Sequence, residues 1–431
     1  MSASASHRVE ADLGGRKLVF ECGQLARQAN GAVMGPFGET MVLSACVAGN
    51  ERDDQDFFPL QVDYREKMSA AGRYPGGFIK REGRPTTKEI LTARLCDRPL
   101  RPLFPDGFFA EVQVLLNVFS ADSDNDPDIV AMNAASASLC VSDLPFNGPV
   151  GSVRVGMVAG RFIVNPTYAE TKEGSLDLVI SGTKDGIIMV EAGAKEVSED
   201  QILAAFEFAQ PHIDALIAAQ NRLRELAGLP RGEFPVHPFP EEVYREIKKR
   251  YSARMKEAFF IKVKRDRNLA FHKIGEKIFE EMIPKDAAGH PLPNAPSKVD
   301  VSRAHERVVD EIVRDYALEG RRADGRDLKT IRPISIGLGV LPRCHGSALF
   351  TRGETQALVT ATLGTKHDEQ LVEGLEEAYS QRFMLHYNFP NFSVGEIKPI
   401  RGPGRREIGH GALAERAIQA VMPAEQQFPY T

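Results

Sequence analysis

The chain has 431 residues, too many for one ordinary domain, and its 42% hydrophobic and 26% charged content is that of a protein able to bury real cores. A net charge of −5 rules out any bulk-charge argument for a nucleic-acid partner, so such a partner must be read from local patches. No apolar run approaches the roughly 20 residues of a membrane span, and Met1 to Glu10 lacks the apolar stretch of a secretory signal, so a cytoplasmic chain with no membrane partner is expected.

The five cysteines (Cys22, Cys46, Cys96, Cys140 and Cys344) form no CxxC pair and fit neither a disulfide framework nor a zinc pattern, which leaves them reduced and mostly buried. In chain order, the first strong signal is Asn30-Gly-Ala-Val-Met-Gly-Pro-Phe-Gly-Glu-Thr40 running into the apolar Met41 to Val47, a strand, glycine turn and strand. From Arg73 to Arg101 there are eight Lys or Arg against three acids, and Gly76-Gly-Phe-Ile-Lys-Arg81 joins a flexible loop to an aromatic ring and two cations. That suits a single strand of nucleic acid, one base stacking on the ring while phosphates meet the charges; a solvated charged loop is the plain alternative. The run Glu111 to Phe119 reads as a strand, Asp122-Ser-Asp-Asn-Asp126 as an acidic loop unsuited to phosphate, and Gly186 to Ala192 as a buried strand. Ser198 and Gln201 make a capping box that opens a helix to about Leu226.

Pro230, Pro235, Pro238 and Pro240 mark a linker, 229–240. Glu241 to about Glu281 is charged and helix-forming, with Val243, Ile247 and Tyr251 along one face; a Pro- and Gly-rich loop and a helix from about Val301 to Tyr316 follow. The expected domains are 1–228 and 317–431, both α/β, flanking an all-helical domain at 241–316.

The second α/β segment repeats the first. His345-Gly-Ser-Ala-Leu-Phe-Thr-Arg-Gly-Glu-Thr355 matches the first hairpin at an offset of 315, while Arg406-Glu-Ile408, Arg416 and Pro423 match Lys88-Glu-Ile90, Arg98 and Pro105 at 318. Two blocks at nearly one offset argue for duplication. By the second offset Thr431 corresponds to Gln113, inside a strand, so the second copy is expected to be incomplete and the chain the amino-terminal part of something longer.

The second copy carries the sharper chemistry. Lys398 to Arg416 holds five Lys or Arg against two acids, and Gly402-Pro-Gly-Arg-Arg-Glu-Ile-Gly-His-Gly411 places Arg405, Arg406 and His410 at the start of a helix. Helix starts attract anions, paired guanidinium groups match phosphate, and Arg406 and His410 share a face. Glycines on both sides of His410 suggest room for a ligand rather than a capped, satisfied histidine. In the first copy Lys88, Leu91 and Thr92 stand for Arg406, Gly409 and His410, so that copy is expected to support and guide rather than react.

Leu349-Phe-Thr-Arg-Gly-Glu-Thr-Gln-Ala-Leu358, His386-Tyr-Asn-Phe-Pro390, Ser393-Val-Gly-Glu396 and Arg405-Arg-Glu-Ile-Gly-His-Gly411 resemble the second core of the polynucleotide phosphorylases (polyribonucleotide nucleotidyltransferases). Phe58-Pro-Leu-Gln-Val-Asp-Tyr-Arg65, Glu82-Gly-Arg-Pro85 and Arg98-Pro-Leu-Arg-Pro-Leu-Phe-Pro105 resemble the first core, and only Pro284 to Asp300 is unlike that family. The resemblance implies an α/β (α+β) fold of duplicated RNase PH-like domains (ribosomal protein S5 domain 2-like). It implies a homotrimeric ring threading single-stranded RNA, KH and S1 domains at the carboxyl end, and it admits RNA degradosome components as partners. The implied reaction is magnesium-dependent 3′-to-5′ phosphorolysis in mRNA degradation, with inorganic phosphate as co-substrate and nucleoside diphosphates as products. Carried over by residue, Phe78, Lys80, Arg81 and Arg84 contact RNA near the pore, and Arg405, Arg406 and His410 lie in the active site. Ile79 departs from the family's second phenylalanine. The family's serine-rich phosphate loop and metal-binding aspartates would follow Thr431; Asp177 mirrors one such aspartate, but Val179 replaces a lysine, so no metal ligand is assigned and the 431-residue chain alone is expected to be inactive. The competing reading is a catalytically inactive RNA-binding or scaffold chain of RNase PH-like architecture, against which stand both arginines and the histidine.

Overall fold

The computed structural model describes residues 6–52, 55–76, 78–376, 378–399 and 402–431. Gly77 of the candidate loop and Arg401 of the second basic stretch lie outside the described residues.

The first α/β unit is built on two sheets. Strands β1 (His7–Leu13), β2 (Arg16–Cys22), β3 (Gly31–Phe37), β4 (Thr40–Ala48), β5 (Leu60–Glu66) and β6 (Val112–Ser120) form the larger one, in the order β1-β2-β3-β4-β6-β5. Burial alternates along β3 and β4, as a half-buried strand demands. β5 runs parallel to β6, and α1 (Thr87–Leu100) supplies the crossover that a parallel pair needs. The smaller sheet holds β7 (Gly151–Val158), β8 (Arg161–Val164), β9 (Leu176–Thr183) and β10 (Gly186–Ala194), in the order β10-β9-β7-β8; α3 (Tyr168–Glu173) sits beside β7.

Two helices fill the space between the sheets. α2 (Pro127–Val141) is buried at every position, as its apolar and small residues on all sides require, and packs on β3, β4 and β7. Its polar side chains are satisfied internally: Ser138 bonds Ser44 at 2.8 Å, and Asn133 donates to the Ser152 carbonyl at 2.8 Å. α4 (Glu199–Ala227) opens with the capping box at Ser198 and Gln201 and lies on β1, β7 and β9. By length and composition α4 is apolar enough to cross a membrane, but its stripe from Ala205 to Leu223 is spent on this core.

β10 is not the buried strand that its composition suggests. It is an edge strand with only Met189 buried, because β9 covers one side alone and its outer residues meet the ends of helices instead. There Glu191 accepts from Arg98 at 2.9 Å and from Arg416 at 2.8 Å, the two arginines related by the repeat.

The helix-forming run from Glu241 divides into two helices, α5 (Glu241–Phe259) and α6 (Lys264–Met282), and α7 (Lys298–Leu318) packs on both. Ile247, Tyr251 and Met255 of α5 meet Val301, Ala304, Val308 and Ile312 of α7 in a core separate from that of the first unit. Arg303 of α7 stacks over Phe109 and Phe239 and donates to the His237 and Pro238 carbonyls, each at 3.2 Å, which seats this helical unit on the linker.

In the second α/β unit β11 (Ile334–Leu338), β12 (Gly346–Arg352) and β13 (Thr355–Ala361) form a three-stranded sheet, β14 (Gln370–Val372) pairs β15 (Tyr379–Gln381), and α8 (Arg405–Gln419) follows. The hairpins of the two units share one register: Phe37 pairs Thr40 and Arg352 pairs Thr355, and the turn glycines Gly38 (φ 60°) and Gly353 (φ 62°) adopt the same left-handed conformation. Gly49 donates to Glu111 O at 2.8 Å, and Gly364 to Thr431 O at 2.7 Å. Thr431 therefore stands where Glu111 does, two residues before the Gln113 given by the helix offset. β4 is covered by α2 and paired by β6, whereas β13 is exposed along its length and pairs only β12 among the described residues.

This difference sets the first prediction. A β-carbon at Gly31 would collide with the Ser138 carbonyl, whereas one at Gly346 would meet only Ala361 Cβ at 3.3 Å. Gly31→Ala should destabilise the first unit by about 1–3 kcal/mol, and Gly346→Ala should change little; urea melts followed by hydrogen exchange resolved by unit would measure both.

Candidate functional site

The second unit's cationic turn is assembled against the first unit. Gly404 has no side chain to complete a capping box, so Glu407 alone secures the start of α8, accepting from the Gly404 and Phe389 amides at 2.8 Å each. Those backbone hydrogen bonds hold the Glu407 carboxyl below its ordinary value, and they tie the His386-Tyr-Asn-Phe-Pro390 segment to the helix. Tyr387 then meets the His410 ring edge-on, 4.4 Å between centroids.

The glycines flanking His410 have a packing role, which corrects the reading that they clear space for a ligand. Gly409 is buried where α8 crosses α1, and a β-carbon there would sit 2.6 Å from Arg94 Nε; one on Gly411 would press on Tyr387 Cβ at 3.3 Å. Bulk is removed so that α8 can close on α1 and on the tyrosine.

The two arginines part company. Arg405 is committed to the first unit, donating to Val62 O at 2.6 Å and to the Asp63 carboxylate. Burial raises the Asp63 carboxyl, but hydrogen bonds from Gln61 and Arg405 and the charge of Arg405 outweigh it, and the net shift is downward. Arg406 is exposed and makes no side-chain hydrogen bond or ion pair among the described residues. Beside Arg405 opens a cleft of about 650 Å³ lined by Arg84, Pro85, Ile90, Gly402, Pro403, Arg405 and Ile408; neither Arg406 nor His410 lines it. It unites one expected RNA contact, Arg84, with one expected active-site residue, Arg405.

The other loop residues stand apart from that cleft. Phe78 is fully exposed, Ile79 is 82% exposed, and Lys80 (φ 52°) and Arg81 are exposed. The loop's base is braced by Arg65, donating to Gly83 O at 3.0 Å, and by Glu82, accepting from Met68 N at 3.3 Å. Arg73 adds a clamp that sequence reasoning missed, donating to the carbonyls of Gly374, Leu375 and Glu376 of the second unit. No motif signals it, because its partners are backbone atoms some 300 residues away.

The first copy's equivalent of Arg406 is caged. Lys88 lies 3.2 Å from Glu66, 3.6 Å from Asp126 and 3.2 Å from Glu376, with Tyr168 Oη at 3.4 Å. Burial alone would lower its pKa, but the charges of Asp126 and Glu66 more than reverse this, so it is held protonated. Asp177 is likewise taken: Arg154 bridges it to Asp128, which desolvation pushes up to about 7 despite the arginine. Among the described residues no group of three or more His, Cys, Asp or Glu is placed to hold a metal ion.

Comparison with known proteins decides the family. The model of the 3′ exoribonuclease family, domain 1, matches residues 14–145 and again 330–431, together more than half of the chain. The chain belongs to the 3′ exoribonuclease family. Domain 2 of that family matches 148–211, the smaller sheet and the start of α4, and the helical unit matches the polyribonucleotide nucleotidyltransferase RNA binding domain at 242–327. The fold is thus mixed α/β, with RNase PH-like domains and an intervening helical domain, and the double match agrees with the shared hairpin register.

Curated proteins named polyribonucleotide nucleotidyltransferase are similar along nearly all of this family member. Those of Acidobacterium capsulatum (49% identity over 97% of the chain), Xanthobacter autotrophicus (49% over 99%) and Methylocella silvestris (50% over 99%) are examples. The chain spans 52%, 58% and 59% of their respective lengths. The crystal structure of rice (Oryza sativa) Rrp46 aligns with 52% of this chain and 96% of its own at 14% identity and a TM-score of 0.38, which adds nothing to the family match.

The Arg405–Asp63 contact yields a pH prediction. Because the folded carboxyl titrates below the unfolded value of about 3.9, its contribution is complete above that value and is lost as the pH falls through the folded one. Amide protection in the first turn of α8, taken relative to the intrinsic exchange rate at each pH, should therefore fall on acidification below about pH 4, and Asp63→Asn should show the lower protection already at neutral pH.

Proposed function

We propose that this chain supplies the phosphorolytic core of a polyribonucleotide nucleotidyltransferase, which shortens single-stranded RNA from its 3′ end with inorganic phosphate and releases nucleoside diphosphates. The carrying observation is the cleft in which Arg84 of the first unit meets the start of α8 in the second; the names of the curated relatives support the same activity.

In this reading a phosphate oxygen attacks the last phosphodiester phosphorus. A new P–O bond forms, the bond to the 3′ oxygen of the preceding nucleotide breaks, that oxygen takes a proton, and the terminal nucleotide departs as its diphosphate. Two phosphates must approach each other, so fixed cations offset the charge that builds in the transition state. Arg406, without a side-chain partner among the described residues, is the guanidinium free for this task. Arg405, fixed by Asp63, lines the cleft as a guide for the RNA backbone beside Arg84. His410 lies one turn beyond Arg406, oriented by Tyr387, and is the group available to supply the proton.

Phe78, Lys80 and Arg81 receive the strand further out, the ring offering a stacking face and the cations meeting phosphates. The same reading carries the homotrimeric ring, degradosome association and a cytoplasmic site of action. Magnesium belongs to the reaction that the resemblance implies, but the described carboxylates do not fit a metal: Asp177 and Asp128 are bound to Arg154, and Glu66, Asp126 and Glu376 surround Lys88. No step is assigned to it here.

The test follows nucleoside diphosphate release from poly(A) by the full-length gene product, with and without phosphate. Arg406→Ala should slow phosphate-dependent release by about 10²-fold or more while leaving RNA affinity within a few-fold. Equal loss of affinity and rate would make Arg406 an RNA contact only, and phosphate-independent release would overturn the phosphorolytic reading.

A further inference from the structure

A strongly cationic stretch of the chain lies in neither repeat. Between Lys248 and Lys273 the sequence holds ten Lys or Arg against two acids, Glu257 and Asp266, in a chain whose net charge is −5. The centre of this stretch is the elbow where α5 ends and α6 begins. Lys256, Lys262, Lys264 and Arg265 are all exposed there, and none of their side chains has a hydrogen bond or ion pair among the described residues. Elsewhere on the same helices cations do find partners: Lys248 bonds Glu311 at 2.7 Å, and Lys277 lies 3.5 Å from Glu281.

Stability does not account for the elbow. Like charges close together repel, and Lys264 and Arg265 occupy the first turn of α6, where the helix dipole disfavours cations. The backbone beneath them is nevertheless held firm. Arg267 turns back to donate to the Ile261 carbonyl at 2.9 Å, and Glu354 of the β12–β13 turn accepts from Lys264 N at 3.4 Å. A hydrogen-bonded turn thus presents cationic side chains without ion-pair partners beside the second unit, where Glu354 meets the backbone alone.

We infer that the α5–α6 elbow is a docking surface for the phosphate backbone of single-stranded RNA, independent of base sequence; this rests on RNA being the substrate, as proposed above. An acidic protein is a poorer fit, since protein interfaces centre on buried aromatic or large apolar anchors. At the elbow Phe259 is buried, and the exposed apolar side chains are only Val263 and Leu269, each about half exposed. The helical unit's match to an RNA binding domain model points the same way without naming a surface.

The test is poly(A) binding by the 431-residue chain across a salt series, comparing wild type with Lys262→Gln, Lys264→Gln and Arg265→Gln combined. Each single-strand phosphate contact contributes about 0.7 to the slope of log K against log salt, so the triple variant should lose about 2 from that slope and bind about tenfold or more weakly at 0.1 M salt. A control removes equal charge from the first unit by Arg161→Gln, Lys172→Gln and Lys184→Gln, with circular dichroism to verify folding of both. An unchanged slope in the elbow variant overturns the inference, as does an equal fall in the control, which would make the effect one of net charge. If wild type binds no RNA at all, the RNA reading of the protein fails first, and that outcome is distinct from an elbow that simply does not take part.

Discussion

The approach of α8 to α1 is the constraint on which the candidate site depends. These helices occupy equivalent places in the two repeats and pack on one another, with the Arg94 side chain of α1 lying against the bare Cα of Gly409. Because they touch there, Arg405 reaches β5 of the first unit, Arg84 faces Gly402, and a cleft forms that neither unit could make alone. The candidate site lies between the copies. A side chain larger than glycine at 409 would have to displace the Arg94 side chain from this contact.

Around this contact the repeats have diverged electrostatically while keeping their backbone plan. The two hairpins share a register, and in each helix a glutamate at the third position turns back on the amide at the start, Glu89 on Thr86 and Glu407 on Gly404. In the first copy the adjoining cation, Lys88, is neutralised by three carboxylates, one of them Glu376 contributed by the other unit. In the second, the cation at the same place is bare. An anionic ligand approaching the first copy would have to displace carboxylates already paired to the lysine; approaching the second, it meets an unspent charge.

Local features were legible in the sequence because their causes are local. The Gly-Glu-Thr turns require a left-handed glycine, the Ser198 box needs residues three apart, and α2 is apolar on every side; each declares itself within a short window. What escaped notice depends on distant partners. The exposure of β10 follows from its place at a sheet edge, the commitment of Arg405 from Asp63 more than 300 residues away, and the clamp by Arg73 from backbone carbonyls with no side-chain signature. Glycines beside His410 are ambiguous in the sequence, because a nearby ligand and close packing call for the same residue. The charge of the elbow is present in the sequence, but that its cations lack ion-pair partners depends on where the helices place the acids.

Glu191 joins the two copies at a single carboxylate, one oxygen for each of the duplicated arginines. A duplicated gene ordinarily frees its halves to drift apart, but these positions are bound together. Losing either arginine leaves the other with the whole carboxylate, whereas losing the glutamate leaves two guanidinium groups sharing a space with no anion. The cost of a change at one copy is thus set by what the other copy still carries. Arg98 and Arg416, for all their separation in the chain, form one heritable unit with the strand residue between them.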